Sequence, residues 1–266
     1  MRHIIAEQFM ARAGSHELKK QISEYWSNGA DGYNKYVLSS LQPGVLKKRW
    51  QEILRESIGD ERMMILDVGT GPGIIAILLA DMGHRVTGLD LTSEMLNKAR
   101  ENTERLGLSI EFKQGDAENI PFEDGSFDVV INRHVLWTMP KPDAAIKEWK
   151  RVLRPEGKLV IVDGNWYLPL DSSLKNRIWQ SFAKMLVSIQ EKRNAFYRRG
   201  DPGLRKMLPM TFMKRPEHDV ELLKRQGFKD INVRTIDRRS FGFIEYLKYG
   251  YYGDTFLISA RKGKAE

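Results

Sequence analysis

The sequence predicts a doubly wound α/β fold, in which a parallel sheet carries helices on both faces. Between residues 63 and 163, short β-like runs alternate with helical patterns, and a glycine-rich loop follows the first run. The β-like runs are MMILDV, HRVTGLD, SIEFKQG, FDVVIN and KLVIVDG, and the helical patterns are IIAILLADM, SEMLNKARENTERL and DAAIKEWKRVL. Such alternation requires right-handed crossover connections, which produce a parallel sheet.

Residues with strong end preferences mark the predicted helices. Gly83 and Gly107 stand where the first two helices would end, and Thr92 or Ser93 stands where the second would begin. Asp143 is the expected N-cap of the third helix. The helices therefore fit the connections between the predicted strands.

The regions that flank this core have a different character. Residues 1–60 carry apolar residues at helical spacing, as in HELKKQISEYW and VLKKRWQEILRESIG. Residues 167–215 are helical, basic and aromatic, which indicates a helical cap insertion. Residues 216–266 add the helix PEHDVELLKRQGF and the strands DINVRTID and DTFLISARK. We therefore predict a core made of 61–166 and 216–266.

Composition excludes several classes of protein. The 266 residues include no cysteine, which excludes disulfides, thiolate metal sites and a cysteine nucleophile. No apolar run could span a membrane, and MRHIIAEQFM lacks signal-peptide features, so we expect a cytoplasmic protein without a membrane partner. Residues 171–266 hold 21 Lys and Arg against 11 Asp and Glu. This basic part either attracts an acidic substrate or nucleic acid, or forms a solvated face.

The glycine-rich loop lies in ILDVGTGPG, residues 65–73. Gly69, Gly71 and Gly73 allow close approach of a ligand to the backbone, and the next helix offers unpaired N–H groups. The dinucleotide fingerprint G-x-G-x-x-G would need glycine at position 74, which is Ile. Asp67 would also repel a pyrophosphate. S-adenosylmethionine has no phosphate and carries an ammonium and a sulfonium, so the carboxylate favours that cofactor.

Two more aspartates stand at the ends of the next predicted strands. Asp90 ends HRVTGLD, and Asp116 follows SIEFKQG. Because the carboxyl ends of parallel strands meet at one edge, we expect Asp67, Asp90 and Asp116 to lie in register. Asp90 can accept both ribose hydroxyls, and Asp116 can accept from the adenine amino group. Each alone also fits a turn or N-cap, but the set of three favours a ligand.

With these residues in place, the sequence resembles the class I S-adenosylmethionine-dependent methyltransferases, and more closely their small-molecule group, methyltransferase type 11. The resemblance is carried by ILDVGTGPG, the GLD at 88–90, GDAENIPF, FDVVINRHVLW and EWKRVLRPEGKLVIVDG, and it covers about 61–166 well. It implies a Rossmann-like seven-stranded sheet whose last strand is antiparallel, and an N-terminal helical lid in residues 1–60. It also implies methyl transfer by in-line displacement, with S-adenosylhomocysteine as product.

The resemblance further implies a set of cofactor contacts. The loop after the first strand would contact the methionine part of the cofactor. The end of the second strand would contact the ribose, and the end of the third strand would contact the adenine. The residues after the fourth strand would pass near the sulfonium, and two tyrosines are candidate lid residues. In that order the set is Asp67, Gly69, Thr70, Gly71 and Gly73; Asp90 and Leu91; Asp116 and Ala117; Asn132 and Arg133; and Tyr25 and Tyr33.

Candidate acceptor residues follow the fourth and fifth strands. His134 lies at the expected ligand edge and is our candidate for a general base or a substrate orienter, although a structural histidine would fit as well. Trp137 is expected to form a pocket wall. Asp163 would bind a cationic nucleophile or cap a turn, and Trp166 lies at the same rim.

Other functions are less well supported. A nucleic-acid methyltransferase would suit the basic C-terminal part, but NRHV stands where amino-methylating DNA enzymes carry Asn/Asp-Pro-Pro-aromatic, and the covalent route to pyrimidine C5 needs cysteine. An RNA methyltransferase that recognises the ribose or the phosphate backbone stays open as the alternative. A non-catalytic S-adenosylmethionine-binding module and a nicotinamide oxidoreductase are further alternatives. The five histidines show no metal-ligand spacing. We expect a small-molecule acceptor that is acidic or aromatic, and a homodimer stays open.

Overall fold

The computed structural model describes residues 15–165, 173–192, 194–195, 202–253 and 255–264, and the statements below concern these residues. They contain one seven-stranded sheet in the order β3-β2-β1-β4-β5-β7-β6. The strands are β1 Met64–Val68, β2 Arg85–Asp90, β3 Glu111–Gln114, β4 Phe127–Arg133, β5 Leu153–Asp163, β6 Phe228–Ile236 and β7 Thr255–Lys262. Strand β7 is antiparallel to both β5 and β6, and the other pairings are parallel. The predicted fold class is thereby confirmed.

Helices cover both faces of the sheet. The described helices are α1 Ser15–Ser27, α2 Ala30–Leu41, α3 Val45–Ile58, α4 Ile74–Asp81, α5 Ser93–Arg105, α6 Pro142–Val152, α7 Leu174–Gln190, α8 Pro202–Met207, α9 Glu217–Arg225 and α10 Phe243–Tyr249. Short 3₁₀ turns occupy Leu136–Thr138, Pro209–Phe212, Arg238–Phe241 and Gly250–Tyr252. No described helix is both long and apolar enough to cross a membrane.

The helix ends follow the sequence signals with one exception. Gly83 and Gly107 adopt the left-handed φ values of 93° and 65° just beyond α4 and α5. Helix α5 begins at Ser93, as predicted. The prediction of Asp143 as an N-cap was wrong, because α6 already begins at Pro142. The fixed φ of proline suits the first helical position, which places Asp143 inside the first turn.

The two faces of the sheet pack against separate hydrophobic clusters. Along β4, Val130 belongs to one cluster, and Val129 and Ile131 belong to the other. Side chains alternate along a strand, so the next two residues, Asn132 and Arg133, also point to opposite faces. This alternation decides which of the two can reach a ligand beside α2.

The two ends of the chain segment between β5 and α9 contact each other through hydrogen bonds. The side-chain amide of Asn165 donates to the Arg215 carbonyl at 2.7 Å and accepts from the Arg215 N–H at 3.1 Å. The Arg215 guanidinium contacts Asp163 at 2.7 Å and Asp219 at 2.6 Å. Within the segment, α7 packs on α10, where Trp179 Nε1 donates to the Leu247 carbonyl at 2.9 Å.

Candidate functional site

A cavity of about 1370 Å³ opens at the carboxyl edge of the sheet. Its floor comes from the loops after β1, β2, β3 and β4. One wall comes from α1 and α2, and the opposite wall comes from α7 and the residues that follow it. This is the edge at which ligands bind in doubly wound sheets.

The loop after β1 needs glycine for its conformation. Gly69, Gly71 and Gly73 have φ values of 66°, 55° and 89°, which other residues rarely adopt. A Cβ on Gly69 would lie 2.4 Å from Cγ2 of Val135. Gly69 and Gly71 line the cavity, whereas Gly73 lies behind them against Ala99.

Asp67 lies beneath this loop and does not line the cavity. Its side chain is only 1% exposed, and Oδ2 accepts from Thr70 Oγ1 at 2.7 Å and from the Ala76 N–H at 3.1 Å. Burial raises the pKa of Asp67 to about 7. Asp67 and Thr70 therefore tie the loop to the first turn of α4, and the geometry shows no direct path from either to a ligand in the cavity.

Asp90 lies at the cavity surface beside Leu91. Its Oδ2 accepts from the Gly71 N–H at 2.9 Å, and its Oδ1 accepts from Thr92 N–H and Oγ1 at 3.0 and 2.7 Å. Burial raises the pKa of Asp90 despite these bonds. The carboxylate is thus fixed in orientation while it faces the cavity.

Asp116 and Ala117 line the cavity at the end of β3, as the strand register predicts. Asp116 Oδ1 accepts from the Glu118 N–H at 2.9 Å. Lys19 of α1 reaches both Asp116 and Glu118, at 2.6 and 2.5 Å. Sequence reasoning missed Lys19, although Lys19, Ile22 and neighbouring residues share one helical face that the spacing could have revealed.

The two residues at the end of β4 separate as strand alternation requires. Asn132 is fully buried away from the cavity, and neither polar atom of its amide has a hydrogen-bond partner among the described residues. Arg133 lines the cavity beside α2 and donates to Tyr33 Oη at 3.3 Å and to Tyr36 Oη at 2.9 Å. Of this pair, the structure brings only Arg133 to the cavity.

The N-terminal helices supply aromatic walls. Tyr25 and Tyr33 both line the cavity, and Trp26 packs edge-on against each of them. Sequence reasoning missed Tyr36, which also lines the cavity and stacks near Tyr33, with ring centroids 5.9 Å apart. Its position three residues after Tyr33, on the same helical face, is the signal that could have identified it.

His134 follows the central strand β4 at the carboxyl edge of the sheet and lines the cavity. It has the left-handed φ of 61°, a value that few residues other than glycine adopt, and its N–H donates to the Val162 carbonyl at 2.9 Å. Burial, and then the positive charges of Arg133, Arg238 and Arg215, hold the pKa of His134 well below its ordinary value. The imidazole is therefore neutral at neutral pH. Trp137 lines the cavity close by, as expected.

The structure does not bring Asp163 to the cavity. Its side chain is fully buried, Oδ2 contacts Arg215 at 2.7 Å, and Oδ1 accepts from the Gly164 N–H at 2.9 Å. Of the two expectations for Asp163, this geometry favours a turn residue over a ligand of a cationic nucleophile, since its charge already pairs with Arg215 inside the protein. Trp166 lies outside the described residues.

Comparison with known proteins agrees with this geometry. The family model described as methyltransferase domain matches residues 66–161. The chain is 28% identical over 230 residues to the demethylmenaquinone methyltransferase of Lactobacillus johnsonii, which covers 84% of this chain and 87% of that protein. It is 30% identical over 178 residues to the ubiquinone/menaquinone biosynthesis C-methyltransferase UbiE of Rickettsia bellii, with 64% and 68% covered.

A solved structure shares the fold. The phosphoethanolamine N-methyltransferase 2 of Haemonchus contortus, in complex with S-adenosyl-L-methionine, matches with a TM-score of 0.56 at 21% identity. The match covers 81% of this chain and 53% of that chain.

Proposed function

The chain belongs to the class I S-adenosylmethionine-dependent methyltransferases, and from this premise we propose that it methylates a small molecule bound in the cavity at the carboxyl edge of the sheet. The observation that carries the proposal is the pair of strand-end carboxylates, Asp90 and Asp116, that line the cavity beside the glycine loop. The volume of about 1370 Å³ suits a cofactor together with a small acceptor.

The residues of the cavity fit S-adenosylmethionine. Gly69 and Gly71 line the cavity without side chains, and the charged residues after β2 and β3 are carboxylates rather than the cations a pyrophosphate would need. Bound there, the cofactor supplies a methyl group activated by a sulfonium. Carboxylates suit such a cationic ligand with two free ribose hydroxyls.

In this proposal each part of the cofactor has its own contacts. Gly69 and Gly71 lie along the methionine part, and Asp90 accepts from the ribose hydroxyls. The remaining contacts are those of Leu91, Asp116 and Ala117 with the adenosine, and those of Tyr25, Tyr33 and Arg133 at the methionine end. Asp67, Thr70 and Gly73 act indirectly, because they shape the loop from beneath.

His134 orients the acceptor in this proposal. A general base works best with a pKa near the working pH, and the pKa of His134 is well below its ordinary value, first because of burial. A neutral imidazole can still accept a hydrogen bond from the acceptor and align it with the methyl group. Methyl transfer also requires the exclusion of water, which the proposed lid and cap would provide.

The cavity lining supports a broad class of acceptor rather than one compound. Tyrosines, tryptophans and basic side chains around the cavity support an acidic or aromatic small molecule. The names of the two relatives suggest a quinone-type acceptor as one form of that class. We also propose that residues 1–60 form a lid and 167–215 a cap over the acceptor, and the homodimer stays a prediction.

Calorimetric titration with S-adenosylmethionine and S-adenosylhomocysteine tests the proposal. We expect the wild type to bind both and Asp90→Ala to bind more than about 100-fold more weakly, since two charge-assisted hydrogen bonds are worth about 3 kcal/mol or more. Asp124→Ala is the control, because its side chain is 80% exposed and does not line the cavity. Absence of binding to the wild type would exclude the proposed cofactor.

A further inference from the structure

The charged side chains of the cavity lining are unevenly distributed, and Lys19 of α1 pairs with two of the carboxylates. The residues after β2 and β3 contribute the carboxylates Asp90, Asp116 and Glu118. The described residues from position 174 onward contribute cations to the lining and no carboxylate, together with three tyrosines. Those cations are Lys184, Lys192, Arg205 and Arg238. We call the wall that they form the basic rim.

Arg133 adds a buried cation that faces the basic rim. It is 8% exposed, and its guanidinium lies over the Trp50 ring at 5.0 Å. Its hydrogen bonds go to the neutral hydroxyls of Tyr33 and Tyr36, its Nε has no partner, and no carboxylate lies within 4 Å of it among the described residues. Asp67 beneath the glycine loop interacts with Arg133 only at longer range, and a buried cation without an ion pair favours an anionic ligand.

Arg133, Arg238 and His134 all line the same cavity. Arg133 precedes His134 in the chain, and Arg238 lines the cavity from the 3₁₀ turn after β6. After burial, these two arginines are the largest causes that lower the pKa of His134. The place where the proposed acceptor would meet the methyl group thus lies in a positive field, which repels a cationic acceptor and attracts an anionic one.

We propose that the basic rim binds an anionic group of the acceptor, a carboxylate or a phosphate, with Arg238 as its direct cationic partner and Arg133 as a second positive charge of the cavity. This inference rests on the proposed function, because it names the acceptor class of the same cavity. A planar guanidinium matches either oxyanion with paired hydrogen bonds, and the tyrosines Tyr249, Tyr251 and Tyr252 supply a surface for an attached ring. An anionic acceptor also explains how transfer proceeds beside a weakly basic histidine.

The methionine carboxylate of the cofactor is a second anion that could reach Arg133. The test therefore uses the full chain saturated with S-adenosylhomocysteine, which occupies that carboxylate's position, and it varies Arg238. Benzoate and phenyl phosphate are the anionic probes, benzamide is the neutral probe, and benzylamine is the cationic probe. Binding is measured by calorimetry.

We expect both anions to bind at least tenfold more tightly than benzamide, and benzylamine to bind most weakly. Arg238→Gln should weaken the anions by about tenfold, the loss of one charge-assisted hydrogen bond, while the affinity for S-adenosylhomocysteine stays unchanged. Lys184→Gln serves as a second variant on a different element, because Arg238 also donates to the Gly253 carbonyl and its loss could disturb that loop. Arg239→Gln is the control, since Arg239 is its exposed neighbour and does not line the cavity.

Equal affinity for benzoate and benzamide, or unchanged anion binding in both rim variants, would overturn the inference. The anion titrations are repeated without S-adenosylhomocysteine, so the preference of the rim is measured even if that ligand fails to bind. If S-adenosylhomocysteine does not bind but the anions do, the result counts against the proposed function and not against anion binding by the basic rim. The relative affinities of benzoate and phenyl phosphate then identify which oxyanion the rim prefers.

Discussion

Asp67 makes the stability of the protein depend on pH in an unusual direction. The carboxyl group is 1% exposed, and burial raises its pKa from 3.8 to about 7. Between these two values the native state holds the proton and the unfolded state does not. Stability from this group is therefore complete below pH 3.8 and is lost as pH rises to about 7.

The substitution Asp67→Asn isolates this effect. Asparagine keeps an oxygen that can accept from Thr70 Oγ1 and the Ala76 N–H, and it has no proton to lose. At about 1.36 kcal/mol per pH unit, the wild type should lose about 2.7 kcal/mol between pH 5 and pH 8 relative to the variant. The measurement is urea unfolding followed by circular dichroism at pH 5, 6, 7 and 8.

The prediction concerns the difference in unfolding free energy between the wild type and Asp67→Asn at each pH. The pH dependence of either protein alone is not decisive, because other buried carboxyl groups also titrate. Asp143→Asn is the control, because it makes the same chemical change on a half-exposed side chain that pairs with Arg225 at the surface. A constant difference for Asp67→Asn, or one that grows toward low pH, would refute the reasoning.

Two other substitutions test the loop and the buried ion pairs. Gly69→Ala should destabilise the protein by about 1–3 kcal/mol more than Gly107→Ala in urea unfolding, because the two glycines share φ near 65° but only the first has a side chain 2.4 Å from the new Cβ. Equal losses would show that the contact does not matter. Arg215→Met should cost about 3–5 kcal/mol, because it leaves Asp163 and Asp219 buried without their cation, and a loss below 1 kcal/mol would contradict that role.

Local patterns predicted the centre of the fold and one wall of the cavity. The alternation of runs between residues 63 and 163 is enough to predict that β1 to β5 form a parallel sheet, since each crossover has one allowed hand, but it does not give the order of the strands. Asp90 and Asp116 reach the cavity because parallel strands end at the same edge, which is a property of the sheet and not of either residue. The opposite directions of Asn132 and Arg133 follow from the period of two along a strand, although the sequence analysis grouped them together.

Contacts between distant segments could not be predicted in this way. Asp163 and Arg215 are 52 positions apart, and nothing near either residue indicates their ion pair. The same holds for Lys19 with Asp116, and for the position of Arg238 beside His134, because each depends on how a helix or turn outside the central alternation packs on the sheet. The positions of Asp90 and Asp116 thus follow from local sequence patterns, whereas the basic rim depends on tertiary packing.

Asn165 and Arg215 join the end of β5 to the start of α9 by two hydrogen bonds. These bonds hold the ends of the intervening segment in place. Both ends of the segment are fixed to each other by hydrogen bonds, and Arg215 is anchored independently by two carboxylates. We expect a replacement segment that keeps these two ends and the core contacts of Leu204, Leu208 and Met210 to leave the register of the sheet unchanged. If the segment covers the acceptor as we propose, replacement of this one stretch would change the choice of acceptor and leave the glycine loop and the strand-end carboxylates as they are.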